Sequence, residues 1–157
     1  MLTSVIFLSN KANLGAEGGT PTPASNQAKQ SSPSATDLTG TQFIQLFFQV
    51  INQKQTNTAV SMLNSSLLPN QEAANLWASQ LGSFQSILVK DISEVPDFVK
   101  TPASEKYKVI LTAQTSPDAA NAPIPFYGWS DGDNIRFITI IKGEDGLWRV
   151  QEIATGP

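Results

Sequence analysis

The chain has 157 residues, 40% of them apolar, with 10 basic and 13 acidic side chains, a net charge of -3 and a sequence pI near 4.8. That is enough chain for one domain of ordinary size, and the lack of a basic excess argues against binding a nucleic-acid backbone by charge. There is no cysteine and no histidine, which excludes thiol catalysis, disulfides, Cys-based metal sites and the commonest general base near neutral pH.

The chain opens "MLTSVIFLS", with six apolar residues in nine. A membrane helix needs about 20, and the positive charge that precedes a signal peptide's apolar run is missing. Two readings fit residues 1–9: an N-terminus apolar by chance, or the end of a membrane anchor. Residues 10–36 consist mainly of Gly, Pro, Ser, Thr, Ala, Asn and Gln, and Leu14 is the only large apolar residue. Such a segment cannot bury enough surface to offset its ordering entropy, which predicts a disordered tether. Stub, tether and domain in that order match the layout of a membrane-anchored extracytoplasmic protein; a cytoplasmic protein with a disordered tail has the same pattern.

The folded part is expected over residues 37–157. In "TGTQFIQLFFQVINQKQ", Phe43, Phe47 and Val50 recur at helical spacing beside Ile44, Phe48 and Ile51, which predicts a helix capped by Asp37, Thr39 or Thr41. A short second helix carries Ala59, Val60, Met62 and Leu63. Asn70 caps a third, whose stripe is Ala73, Trp77, Leu81 and Phe84.

After Phe84 the period becomes alternating. "FQSILVKDISEV" and "EKYKVILTAQT" read as strands, the second with Tyr107, Val109, Leu111 and Ala113 on one face. "IPFYGW" reads as a short strand that "SDGD" turns into "NIRFITIIK", apolar on both faces and therefore central. "GEDG" turns that strand into a last one, "LWRVQEI". Helices followed by a strand meander predict an α+β domain, three N-terminal helices packed on a curved, mainly antiparallel sheet.

The helix "FIQLFFQVI", the short "AVSML", the third helix "ANLWASQLG" and the closing "IRFITIIKGEDGLWRVQEI" together resemble the nuclear-transport-factor-2-like, or cystatin-like cone, superfamily over about residues 38–155. The resemblance implies a cone or roll in which the C-terminal hairpin is central, with Trp148 and Val150 in its structural positions. It also implies pairing of two copies through the open sheet face. The superfamily hosts both enzymes and non-catalytic domains, so activity has to be argued from a site.

Enzymes of this superfamily place an acid or base inside the cone. The ligand-pocket candidates here are Phe47, Trp77, Tyr107, Tyr127 and Trp129, and Asp91, Asp97 and Glu105 could supply a carboxylate. A buried carboxylate beside Tyr127 could abstract a proton next to a carbonyl and hold the enolate, with Asp97 or Glu105 in that role. The plainer reading makes the carboxylates solvated charges at strand ends and loops, and the aromatics core. A cone filled by Phe47, Trp77, Phe126 and Phe137 would leave no pocket. Residues 131–134 lack the spaced oxygen ligands of a calcium loop and read as a turn. The Asn64-Ser65-Ser66 tripeptide fits a glycosylation acceptor, with no sign of the secretory route that would use it. Gly15, Gly18 and Gly19 lie in the tether and make no phosphate loop.

No cofactor or metal is expected. The favoured function is a non-catalytic binding or assembly domain, tethered outside the cytoplasmic membrane, with a protein partner, a second copy or a small hydrophobic ligand. The alternative is a small His-free enzyme of the isomerase or polyketide-cyclase kind.

Overall fold

The computed structural model describes residues 38–117 and 128–157. The stub, the tether, Phe126 and Tyr127 lie outside the described residues.

Helix α1, Gly40–Asn52, starts at Thr39, one of the three expected caps. The Thr39 hydroxyl accepts from the Gln42 N–H at 3.3 Å, and the Gln42 side chain accepts from the Thr39 N–H at 2.9 Å. This reciprocal box satisfies two otherwise orphaned donors. The helix buries Phe43, Ile44, Phe47, Phe48, Val50 and Ile51. It ends in a double closure: Lys54 N–H donates to Ile51 O at 2.9 Å, and Gln55 N–H to Val50 O at 3.1 Å. Lys54 sits at φ 60°, a position that usually selects glycine. Its side chain supplies the reason for lysine: Nζ donates to the carbonyls of Phe84 and Gln85 at the start of the sheet. Lys54→Ala should keep the backbone strain and lose both bonds, costing about 1 kcal/mol. Lys54→Gly should cost less because it relieves the strain. Denaturant midpoints of the two variants, compared side by side, check this order.

Helix α2, Thr56–Ser61, and a 3₁₀ turn at Ser65–Leu67 follow. Helix α3, Gln71–Gly82, is capped by Asn70 as expected, its side chain accepting from Ala73 N–H at 2.8 Å. Trp77 and Leu81 are buried on it. Phe84, read both as the end of that stripe and as the start of the strand "FQSILVKDISEV", opens the first strand.

Four strands form an open antiparallel sheet in chain order: β1 Phe84–Glu94, β2 Ser104–Thr115, β3 Gly132–Lys142 and β4 Trp148–Ala154. The domain is therefore α+β, with three α-helices and this sheet among the described residues. Of the expected strand "IPFYGW", only Gly128 and Trp129 are among the described residues, and they carry no strand; Gly132 and Asp133 of "SDGD" already belong to β3. Strand β3 is central, as its two apolar faces predicted. Strand β4 is not: it lies at the sheet edge. The edge is closed from outside, where Asn64 N–H donates to Val150 O at 2.7 Å and Val150 N–H donates to Met62 O at 2.9 Å. An edge strand left bare would template pairing with other chains; here the segment after α2 covers it.

Register irregularities explain departures from strict alternation. Strand β1 shifts register between Phe84 and Ser86 and again between Val89 and Asp91. Each extra residue changes the phase by one, so Phe84, Ile87, Val89 and Ile92 share a face despite uneven spacing. A third shift, at Thr139/Ile140 opposite Val150 and Glu152, puts Ile153 on the same side as Trp148 and Val150. Such bulges bend a strand and increase its twist.

The inner sheet face and the helices share one core, from Phe43 through Tyr107, Val109, Leu111, Ile138 and Ile140 to Ile153. Trp148 packs into it, and its indole N–H donates to Leu38 O at 2.9 Å, joining the last strand to the entry of α1.

Candidate functional site

Glu105 and Tyr107 stand two apart on β2, and so on one face. That face meets the first turn of α1. The Tyr107 hydroxyl donates to Glu105 Oε2 at 2.5 Å. Glu105 Oε1 lies 3.2 Å from Lys100 Nζ, which also pairs with Glu94 at 2.7 Å. Tyr107 is 3% exposed and the Glu105 side chain 12%. A Cβ on Gly40 would fall 2.1 Å from Glu105 Oε2, 2.6 Å from the Tyr107 hydroxyl and 2.9 Å from Ile140 Cδ1. Only glycine admits this close approach.

Burial, then the hydrogen bond and negative charge of Glu105, push the Tyr107 hydroxyl from its ordinary 10.0 up to about 12. Glu94 and Glu105 raise the exposed Lys100 ammonium in the same direction. The tyrosine thus holds its proton at neutral pH, and both carboxylate oxygens of Glu105 are engaged. The arrangement locks a helix end onto a strand; it does not leave a base free to take a proton. A cleft of about 90 Å³ beside it is lined by Glu94, Val95, Pro96, Phe98, Lys100, Glu105 and Lys106.

The sign of the pH effect follows from the raised tyrosine. The folded state favours protonated Tyr107, so its stabilisation is present in full below pH 10 and is lost as pH rises toward 12. Two pKa units correspond to about 2–3 kcal/mol. Urea titrations from pH 8 to 12 should show stability falling above pH 10. Tyr107→Phe should start from a lower plateau, because Glu105 loses its donor, and fall less steeply.

The structure thus joins Glu105 to Tyr107, whereas the expected partner Tyr127 lies outside the described residues. Glu105 is the second residue of β2, a strand end as the plainer expectation had it, but its side chain is largely buried and not solvated. Asp91 is exposed within β1, and Asp97 is exposed in the turn after it. Phe47 and Trp77 are core residues, and Trp129 is half-buried against the core. Phe137 does not fill the inside: it alternates with Arg136 and Ile138 and faces the other side of the sheet.

Asn134 and Arg136, not singled out by the sequence reading, are buried on the inner face in phase with Ile138 and Ile140. The Arg136 guanidinium lies 4.0 Å over the Trp129 ring, which meets Phe84 edge-on at 4.9 Å. It donates to Ile135 O at 2.7 Å, Gly128 O at 2.9 Å and Asn134 Oδ1 at 3.2 Å. Asn134 in turn donates to Ser130 O and Gly132 O. Burial holds the guanidinium below its ordinary pKa, and carbonyl acceptors with an aromatic face offset that cost. The signal was present: two polar residues in phase with an apolar stripe.

The opposite sheet face has another character. Leu88 is 65% exposed and Ile135 45%. Ile110 pairs directly with Ile135, and Lys108 with Phe137. Charge pairs flank this patch: Lys90–Asp133 at 2.6 Å, and Lys106–Glu152 at 3.7 Å. Lys90 and Thr112 hold the Asp133 carboxyl below its ordinary range.

Among the described residues no group of three or more acidic side chains could hold a metal, and no helix is long and apolar enough to cross a membrane. Compared with protein-family models and with curated proteins, the chain matches none.

Proposed function

We propose that the chain is a non-catalytic assembly domain of the nuclear-transport-factor-2-like kind, pairing with a second copy of itself through the outer sheet face. The observation that carries this reading is the patch of Leu88, Ile110, Ile135 and Phe137, which the ladder sets beside Asp91 and Lys108 and between two charge pairs. A contiguous apolar patch with a polar rim is the mark of an interaction surface. The bulged antiparallel sheet with helices on its other face supports the cone-like likeness. The filled core of Phe47, Trp77 and Tyr107 favours binding over catalysis. The enzyme alternative has only the Glu105–Tyr107 pair to draw on, and those two groups satisfy each other.

Sedimentation velocity of the full chain tests the reading. A dimer is expected, and the double substitution Leu88→Asp with Ile135→Asp should weaken it by about 100-fold or more, as removal of two central apolar anchors does. Both residues are exposed, so the thermal midpoint should stay within a few degrees. A monomer at every concentration up to about 100 μM, or a dimer indifferent to the substitutions, would rule out self-pairing through this face.

A further inference from the structure

The outer sheet face carries two charges that are not paired within the copy. Among the described residues, Asp91 and Lys108 form no ion pair and no side-chain hydrogen bond, whereas Lys90, Lys106, Asp133 and Glu152 on the same face are all paired. The ladder fixes where the two stand. Asp91, Ile110 and Ile135 make one row across β1, β2 and β3. Ser93, Lys108 and Phe137 make the next row on that face, and Leu88, Thr112 and Asp133 the row before. Asp91 and Lys108 are thus diagonal neighbours, about 7–8 Å apart along the sheet. Leu88 and Phe137 end a parallel diagonal twice as long, centred on Ile110. Two copies that meet face to face are related by a two-fold axis lying in the interface, and each contact then occurs twice. An axis passing over Ile110 cuts both diagonals close to their midpoints and exchanges their ends. It sets Ile110 against its own copy, Leu88 against the partner's Phe137, and Asp91 against the partner's Lys108.

We propose, resting on the self-pairing put forward above, that Asp91 and Lys108 form two symmetry-related ion pairs across the interface and thereby select a second copy of this chain as the partner. The apolar side chains supply the buried area, and the charges fix the register and exclude other partners. A partner presenting only an apolar face would strip water from both charges and return no counter-charge, which costs affinity. A second copy returns the opposite charge at both places because the arrangement is complementary to itself. The sheet edges are poorer places to pair. Residues 62–64 cover β4. At β1, the Asn52 carboxamide takes the Ile87 N–H on Oδ1 at 2.7 Å and donates from Nδ2 to Ile87 O at 2.6 Å. Two register shifts bend the same edge. The face is left as the surface on which two copies meet.

Charge exchange at the two positions, followed by sedimentation equilibrium of the full chain at low salt, tests this. Asp91→Lys and Lys108→Glu alone should each weaken the dimer at least about 10-fold, because each sets like charges together at both contacts. An equimolar mixture of the two variants should regain a dimer within about threefold of the native affinity, since every contact again joins opposite charges. The chain carrying both exchanges should pair with itself equally well. Glu72→Lys makes the same change in net charge as Asp91→Lys, on the exposed first turn of α3, and should leave the dimer as it is. A mixture and a double exchange that both stay as weak as the single variants would overturn the proposal. So would affinity indifferent to either exchange while Leu88→Asp with Ile135→Asp still dissociates the dimer; self-pairing through the face then stands without this register. A native chain that is monomeric up to about 100 μM removes the self-pairing and the ion pairs together.

Discussion

Gly40→Ala is expected to destabilise the domain by about 3 kcal/mol, a large share of the 5–15 kcal/mol that holds a typical domain together. Helix propensity points the other way, since alanine is better than glycine in a helix by up to about 1 kcal/mol. Crowding decides the sign. The new methyl would sit 2.1 Å from Glu105 Oε2 and 2.9 Å from Ile140 Cδ1. Glu105 can retreat only by leaving its partners, the Tyr107 hydroxyl and Lys100. Overpacking of this kind costs about 1–3 kcal/mol, and a stranded buried hydroxyl adds about 1–3 more. A double-mutant cycle separates the causes. Glu105→Ala removes the nearest clashing atom, so adding Gly40→Ala to it should cost at least about 1 kcal/mol less than in the native background. Additive losses would place the damage at Tyr107 and Ile140 instead.

That site also shows what could be read from the chain and what could not. The helices and strands were legible because their apolar spacing is strong: Phe43, Phe47 and Val50 on α1, and Tyr107, Val109, Leu111 and Ala113 on β2, were assigned to the faces they bury. Thr39 and Asn70 were legible as caps because short polar side chains recur just before such runs. Glu105 was not. Its burial depends on a glycine 65 positions earlier, and no local pattern joins the two. Strand order was not legible either, because periodicity gives a strand's faces and not its neighbours. Hence β4 was expected at the centre and lies at the edge. Ile153 and Phe84 departed from simple alternation or helical spacing for a further reason: a bulge or an element boundary resets the phase. The buried pair Asn134 and Arg136 could have been found from phase alone, had polar residues in an apolar register been treated as a signal.

Local sequence also bears on how the sheet faces divide the work. The inner face carries the core, and both sheet edges are managed: β4 by residues 62–64, β1 by Asn52 and two bulges. The outer face, by contrast, keeps large apolar side chains in water. That asymmetry is hard to explain by folding alone, since replacing Leu88 or Ile135 with a polar residue should cost the monomer little. The proposed association would give these residues a purpose, which is why the outer face, and not the filled interior, carries the functional proposal.

Phe47→Ala should cost about 4 kcal/mol, and the size of this loss separates a filled interior from a ligand pocket. Phe47 is 1% exposed and meets Phe48 edge-on at 5.4 Å between ring centroids. Truncating a fully buried phenylalanine removes its transfer free energy and leaves a cavity, which together cost about 3–5 kcal/mol. A phenylalanine lining an open, hydrated pocket would lose far less, because its ring is already partly in water; about 1 kcal/mol or below would be the reading in that case. Phe47→Leu supplies the calibration, since it keeps much of the volume and should cost about 1 kcal/mol in a packed core. Urea unfolding at neutral pH gives all three stabilities. A steep series, with alanine far below leucine, means that the interior is core and that any ligand must be met elsewhere on the molecule. A flat series would reopen the enzyme reading, with Phe47 as a pocket wall.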